Sequence, residues 1–504
     1  MQSISGMPCD ELAGDAKRRV PLPYDRSKAN AFRMKGGTAM DNFDNINLEE
    51  LDFVDMELEE IQELAEGMLS ERKYSMLRQM LGNLNAADIA LLFDEIDKKE
   101  IPLLYRLLPK EEAAETFTYM SRDMQETLIN ALTDRELRAV MDDIFLDDTV
   151  DIIEEMPANV VARILRNTDE ETRKMINQVL HYPKDSAGSL MTIEYVNIKK
   201  DMTVGEAISR IRQTAVDKET IYTCYVTEHR KLIGMVSVKD LLMAEDSMQI
   251  EDIMETNVIY TDTHEDKEEV AKIFNKYDFL AIPVVDQEER LVGIVTFDDA
   301  MDVMQEENTE DITKMAAMTP TEDSYFNTSV FSHAKSRIGW LMVLMLSATV
   351  SGFIINHYQE SFKLYPLLVS FIPMLSGTGG NCGSQSSTLM IRGLSLDEIK
   401  FKDIFRVIFK EFRIAIIVSI VLAIVNGIRI FIQYGDIQMS VIISLSLVAV
   451  VVISKFIGCT LPLIAEHIHL DPALMAAPLI STIVDICSTL LYFKIATIVL
   501  HISV

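Results

Sequence analysis

A chain of 504 residues exceeds what one hydrophobic core supports, about 250 to 300 residues, so several units are expected. The formal charge is −31, from 47 Lys and Arg against 78 Asp and Glu, yet the mean hydropathy is positive at +0.13, so acidity and apolarity must be segregated. Residues 1–329 hold 35 Lys and Arg against 69 Asp and Glu, and residues 330–504 hold 12 against 9. This excludes nucleic acid as the natural partner, because phosphate backbones are bound by basic surfaces, and it invites cations instead.

Residues 1–40 carry a net positive charge with Pro21, Pro23, Gly36 and Gly37 and no apolar period, so a disordered extension is expected. Lys35-Gly36-Gly37 shortly before Met40 also reads as a ribosome-binding sequence translated in frame, which would put the native start at Met40; a genuine flexible tail is the other reading. From Asp88 to Leu180 short apolar helical patterns recur about every 12 residues, each opened by acidic or polar residues such as Lys110-Glu111-Glu112, Asp134-Arg135-Glu136 and Asp147-Asp148. The expectation is a solenoid of short helices over 41–185, in which most of these carboxylates serve as N-caps and first-turn residues favoured by the helix dipole.

A second repeat of about 60 residues follows. Leu232-Ile233-Gly234-Met235-Val236-Ser237-Val238-Lys239-Asp240 is echoed by Leu291-Val292-Gly293-Ile294-Val295-Thr296-Phe297-Asp298-Asp299, and Leu190-Met191-Thr192 and Ile253-Met254-Glu255-Thr256 open the two copies. Each copy alternates β-rich runs (Ile221–Val226, Leu280–Val285) with amphipathic helices (Val204–Arg212, Lys267–Tyr277). The pattern resembles a tandem pair of CBS domains, here 186–249 and 250–307, a module that often binds adenine nucleotides and regulates what it is attached to. The resemblance implies that Asp240, after the last strand of the first copy, holds a ribose; without it Asp240 would read as a helix cap. Thr223 stands where an aromatic side chain would stack on adenine. Residues 308–337 then form either a plain linker or a connecting helix that transmits regulation, and we expect the helix.

Beyond Arg337 the sequence suits hydrocarbon. Trp340–Ile355, Ile414–Ile432, Met439–Leu463 and Pro472–Leu500 are apolar stretches near the roughly 20 residues that span a bilayer, and a fifth, Leu364–Ile391, is interrupted by glycine and polar residues. Five spans over 338–504 are expected. No comparable apolar run occurs in residues 1–300, so the acidic part stays on the side of synthesis. Lys335 and Arg337 before the first span, and Arg392, Lys400, Lys402, Arg406, Lys410 and Arg413 between the second and third, make the N-terminal region cytoplasmic by the positive-inside rule, with the C-terminus outside and a multi-pass location in the cell membrane.

Two intramembrane features invite an ion. Pro373-Met374-Leu375-Ser376-Gly377-Thr378-Gly379-Gly380-Asn381-Cys382-Gly383-Ser384-Gln385-Ser386-Ser387 is too polar to face lipid, so it should line a protein interface or an aqueous path with free backbone carbonyls. Helix packing through small residues would explain the glycines but not Asn381, Gln385 and the serines together. Asp485 lies inside the last span, where a carboxylate is by default functional; a salt bridge to Lys455 is the competing explanation, unless Lys455 snorkels. The Asp485 carboxylate, backed by carbonyls near Gly377 and Gly380 and by the Asn381 side chain, would attract a hydrated dication, since Mg²⁺ dehydrates reluctantly and is held by few carboxylates. No nucleophile or base partner accompanies them, so enzymatic catalysis is not expected.

With Leu470-Asp471-Pro472-Ala473-Leu474 before the last span, these features together resemble the MgtE family of magnesium channels, from about Leu51 to Leu500. The resemblance implies a multidomain membrane protein with an α-helical solenoid, tandem α+β CBS domains, a connecting helix and a five-helix transmembrane bundle. It implies a homodimer in the lipid bilayer with a pore on the two-fold axis, closed by cytoplasmic Mg²⁺, with ATP as a possible regulator. Its sensing residues fall on Asp147 and Asp151 of the solenoid, on Asp266, Glu268 and Asp278, on Asp299, Asp302, Glu307 and Glu310, and on Asp471 at the cytoplasmic mouth. Ser384 stands where some members carry an Asn lining the pore. A proton- or Na⁺-coupled transporter of another divalent cation would usually show inverted repeats with paired broken helices, and a membrane-anchored sensor without transport would not need polar residues inside two spans.

Overall fold

The structure, a computed structural model, describes residues 53, 56–321, 325, 328–358 and 365–501. The expected extension over 1–40 and the alternative start at Met40 lie outside the described residues. The chain divides into two compact units, one comprising residues up to Asp266 plus Leu280–Thr296 and the other Lys267–Phe279 plus Phe297 onward.

The first unit opens with helices α1 (Leu58–Ser70), α2 (Tyr74–Leu81), α3 (Ala86–Glu95), α4 (Ile101–Tyr105), α5 (Lys110–Tyr119), α6 (Arg122–Ala131), α7 (Asp134–Met141), α8 (Leu146–Glu155), α9 (Ala158–Asn167) and α10 (Glu170–Val179). From α5 onward the starts fall 12 residues apart. Each helix buries one apolar side in a continuous core that includes Leu77, Phe93, Phe117, Leu128, Leu137 and Ile164. Acidic residues occupy the first turns of α5, α6, α7, α8 and α10; Thr133 and Glu136 form a reciprocal capping box, and Asp169 accepts from the backbone of Glu171 and Thr172. Most heads of the repeat are therefore helix starts, where the helix dipole favours acidic side chains, and at α7 and α10 a side chain also satisfies backbone N–H groups that have no partner inside the helix.

After the short helix α11 (Ala187–Leu190), strand β1 (Tyr195–Ile198), helix α12 (Val204–Thr214), strands β2 (Thr220–Glu228) and β3 (Lys231–Ser237), and helices α13 (Val238–Met243) and α14 (Ile250–Ile253) make the first copy of the 60-residue repeat. The second copy supplies β4 (Thr261–Asp262), α15 (Lys267–Tyr277), β5 (Ala281–Val285) and β6 (Leu291–Thr296). Both sheets have the same order, β1-β2-β3 and β4-β5-β6, with the first pair parallel and the second antiparallel. The repeated glycines have a shared steric reason. A Cβ on Gly234 would lie 2.8 Å from Met254 Sδ, and one on Gly293 would lie 2.6 Å from Met191 Sδ, so the methionine that opens each copy covers the glycine strand of the other.

The second unit contains α15 and α16 (Phe297–Met315), then α17 (Val330–Tyr358), α18 (Pro366–Val369), α19 (Ile372–Ser395), α20 (Ile404–Tyr434), α21 (Ile437–His467) and α22 (Ala477–Leu500). The connecting helix expected over 308–337 instead starts at Phe297, directly after β6. It stops at Met315, where Ala317 takes a φ of 54° and Pro320 soon follows. By length and hydropathy four helical stretches among the described residues can cross a membrane: α17, Phe401–Tyr434, α21 and α22. The fifth expected span, α19, is 24 residues long but carries the glycines and hydroxyls that lower its hydropathy. α21 is the central helix, with half of its most apolar window buried, whereas none of that of α17 is.

Candidate functional site

The break expected within the glycine-rich segment is absent. The chain turns at Ser370 and Phe371, Pro373 enters the first turn of α19, and the helix then runs without interruption to Ser395. The carbonyls of Gly377 and Gly380 therefore lie within the helical ladder rather than free, because glycine removes side-chain bulk without preventing i to i+4 bonding. What the glycines permit is close approach. A Cβ on Gly379 would come within 2.7 Å of Val450 and 2.9 Å of Val484, one on Gly383 within 2.7 Å of Ile480, and one on Gly458 of α21 within 2.2 Å of the Gly383 carbonyl oxygen. Gly380 belongs to this packed side, with Ser481 Oγ 3.1 Å from where its Cβ would be.

The opposite side of α19 is open. Gly377, Asn381, Gln385 and Thr388 are exposed in one helical stripe, and nothing in the chain lies within 4 Å of a Cβ built on Gly377. Asp485, half-buried on α22, lies beside the side chain of Ser376 on α19. Lys455 does not reach it. The ammonium pairs with Glu411 of α20 at 3.2 Å and donates to Ser386 Oγ of α19 at 3.0 Å, while Ser386 donates to the same Glu411 Oε2 at 2.7 Å. Among the described residues Asp485 forms no ion pair. Glu411 was not singled out in the sequence because it lies in a basic segment, Lys410-Glu411-Phe412-Arg413, where it reads as part of a loop.

In the first unit Asp147, 8% exposed, meets Glu194 and Glu219, and one carboxylate oxygen of each lies within 4.8 Å of the others. Glu194 directly precedes β1 and Glu219 directly precedes β2; these strands are parallel and the Glu219 amide donates to the Glu194 carbonyl at 2.9 Å, so the two acids are brought together by strand register. Glu194 Oε2 also accepts from the Leu146 amide and from Thr192 Oγ1, both at 3.2 Å, which fixes it at the start of α8. Three acidic oxygens at this separation repel one another unless a cation or protons intervene, and an oxygen set is the donor set of Mg²⁺ or Ca²⁺. Asp151, one turn along α8, is exposed and outside this group. Glu194 and Glu219 were not found from the sequence, because no local spacing connects them to Asp147.

The acids of the second unit are distributed differently. Glu268 pairs with Lys272 at 3.0 Å, and Asp278 follows α15 with a φ of 55°. Asp266, in the first unit, bridges to Ser186. Asp299 and Asp302 lie on the first turns of α16 and Glu307 further along it. Toward its end, Lys314 pairs with Glu310 and, at 2.7 Å, with Asp471. Asp471 in turn caps the 3-10 turn Pro472–Met475 by accepting from Ala473 at 2.7 Å. Burial, then the charges of Asp471 and Glu268, raise the pKa of the neighbouring Asp311. Burial opposes the Lys314 ammonium, but the bonds from Asp471 and Glu310 outweigh it and raise its pKa above the ordinary lysine value. Two of the acids read as ion sensors thus share a cation that the chain itself provides. Asp240 sits in the first turn of α13, its amide donating to Ser237 Oγ at 3.1 Å and its carboxylate accepting from that hydroxyl at 2.5 Å.

Comparison with known proteins gives matches to four segments: a divalent cation transporter domain named MgtE at residues 372–495, the MgtE intracellular N domain at 84–185, and CBS domains at 187–247 and 250–306. The magnesium transporter MgtE of Bacillus subtilis (strain 168) is 34% identical over 435 residues, covering 86% of this chain and 96% of that protein. The magnesium transporter MgtE of Thermus thermophilus is 33% identical over 438 residues, covering 86% and 97%. Among solved structures, the cytosolic domain of the Mg²⁺ channel MgtE in complex with ATP is 36% identical, with a TM-score of 0.46, covering 47% of this chain and 98% of that one.

Proposed function

Because the chain belongs to the MgtE family of divalent cation transporters, we propose that it conducts Mg²⁺ across the membrane along the open stripe of α19, with Asp485 as the attracting charge. The observation that carries this is the partner choice of Lys455. Its bond to Glu411 leaves Asp485 as a carboxylate uncompensated by any cation of the described chain, next to a stripe formed by Gly377, Asn381 and Gln385. Such a stripe is unfavourable against lipid, so it faces water or a second copy of the chain. Two copies related by a two-fold axis would bring two Asp485 side chains to one aqueous path. A hydrated dication suits that arrangement, since Mg²⁺ keeps several waters and needs only one or two carboxylates. The basic segments flanking α17 and α20 support a cytoplasmic location for the acidic N-terminal part.

Regulation is part of the proposal. Cytoplasmic Mg²⁺ at Asp147, Glu194 and Glu219 would tie the helical solenoid to the first sheet, and the acids of α16 would sense the same ion beside Asp471. The decisive measurement is Mg²⁺ influx into proteoliposomes containing the full chain. Asp485→Ala should abolish it and Asp485→Asn should impair it severely while both remain folded; influx equal to that of the parent would sink the pore assignment. ATP is the proposed regulator, with its ribose on Asp240. Calorimetry should give ATP binding in the micromolar to millimolar range that weakens in Asp240→Ala, and no heat from either protein would remove the nucleotide.

A further inference from the structure

The bridge of Ser386, Glu411 and Lys455 is unusual in its location. Ser386 is completely buried and the side chains of Glu411 and Lys455 are each 6% exposed, so none of the three reaches the open stripe of α19. Phe405, Phe409, Phe412 and Phe456 line a groove together with Glu411 and Lys455, so the surroundings of the pair are mainly apolar. Three helices converge on one oxygen, Glu411 Oε2, which accepts from both Ser386 and Lys455.

We propose that this bridge is a positioning device for the ion pathway: it fixes the rotation of α19 about its own axis, and thereby the direction in which Gly377, Asn381 and Gln385 face. The inference rests on the pore reading given above and assigns it three further residues. Stability alone does not account for the bridge, because an ion pair taken out of water gives up its hydration, and apolar side chains of similar volume commonly hold helices together as well or better. Direction is what polar bonds add. The Ser386 hydroxyl has a single proton, given to Glu411, and a lone pair that receives Lys455, so it fits in one orientation only.

A turn of α19 by one residue, about 100°, would carry that hydroxyl away from both partners. The next residue, Ser387, donates to the Met475 carbonyl at 2.5 Å and so opposes the same rotation from the other side. Gly377, nine positions before Ser386, is about 180° away around the helix, so pinning the one orients the other. The glycine contacts of α19 with α21 and α22 set how close the helices come. They also oppose a large turn, since a side chain rotated toward Val450, Ile480 and Val484 would clash, and the bridge adds a directional polar restraint on the smaller turns that such contacts tolerate.

The test compares two variants of the full chain reconstituted in lipid vesicles, Ser386→Ala and the double variant Glu411→Met with Lys455→Met. The first keeps the ion pair, so it leaves no bare charge in the membrane, and the second removes both charges together. Thermal unfolding in detergent and the ratio of Mg²⁺ to Na⁺ flux are measured on each. Both variants should melt near the parent temperature, while Mg²⁺ influx falls roughly tenfold or more, the scale on which small misplacements of working groups are felt, and Na⁺ exclusion is lost with it. Parent-like flux and selectivity in either folded variant would overturn the positioning role. Should the double variant fail to fold, Ser386→Ala decides alone. Asp485→Asn in the same vesicles separates the two claims: if it conducts like the parent, the pore reading falls and this inference with it, whereas an inactive Asp485→Asn beside an unaffected Ser386→Ala removes only the inference.

Discussion

Glu136 shows how much one side chain can be asked to do in a solenoid of short helices. It completes the capping box of α7 with Thr133 and receives Arg106 Nε at 2.7 Å from the preceding turn of the solenoid. The Arg106 bond first, then the Thr133 amide, depress its pKa from 4.5 to about 2. A carboxyl with a depressed folded-state pKa binds protons more tightly when the chain is unfolded, so its contribution to stability is complete above about 4.5 and is lost as the pH falls toward 2. Glu136→Gln should therefore lower stability at neutral pH and flatten the acid limb of unfolding followed by circular dichroism; an unchanged acid limb would show that the bond is absent in solution. The same scale separates what sequence could and could not disclose at the proposed ion path. Asp485 is conspicuous because its neighbours are apolar, whereas Glu411 is hidden among basic residues and acquires meaning only when α20 brings it against Lys455.

At the scale of elements, α16 is the part whose bounds and contacts depart most from expectation. Its end is held to the turn before α22 by Lys314, which stands between Glu310 and Asp471 with Asp311 beside it. Removing the ammonium leaves three carboxylates to repel one another, a loss that a divalent ion could restore. On the proposed gating, Lys314→Met should raise Mg²⁺ conduction several-fold at low internal Mg²⁺ and leave the proposed closure at high Mg²⁺ intact, as read by patch recording at varied internal Mg²⁺. Activity independent of this substitution would mean that Lys314 does not tether the helix. The glycine-rich helix carries a related lesson. Four glycines in one span are compatible with a broken helix or with close packing, and composition alone does not choose between them. The neighbouring helices do, since Val450, Ile480 and Val484 occupy the space that side chains at 379 and 383 would need.

For the whole molecule the dominant quantity is charge. Residues 41–329 hold 28 Lys and Arg against 65 Asp and Glu, a net −37 that opposes compaction through self-repulsion. Divalent ions between solenoid and sheet acids would offset it, so millimolar Mg²⁺ should slow limited proteolysis within residues 41–329, and Glu194→Gln with Glu219→Gln should reduce that protection. Cleavage indifferent to Mg²⁺ in the parent would sink Mg²⁺-dependent gating while leaving the pore reading standing. The sequence by itself determined the succession of solenoid, paired sheets and apolar helices, because periodicity, repeats and hydropathy are local properties of the chain. It also marked Asp485 and the polar stripe, since each conflicts with its own surroundings. Only the tertiary structure decided which acids meet: Asp147 with Glu194 and Glu219, Glu310 with Asp471 through Lys314, and Glu411 rather than Asp485 with Lys455. The physical reason is that electrostatic partnership falls with distance in space, and the register of parallel strands and the crossing of helices join residues that the chain keeps far apart.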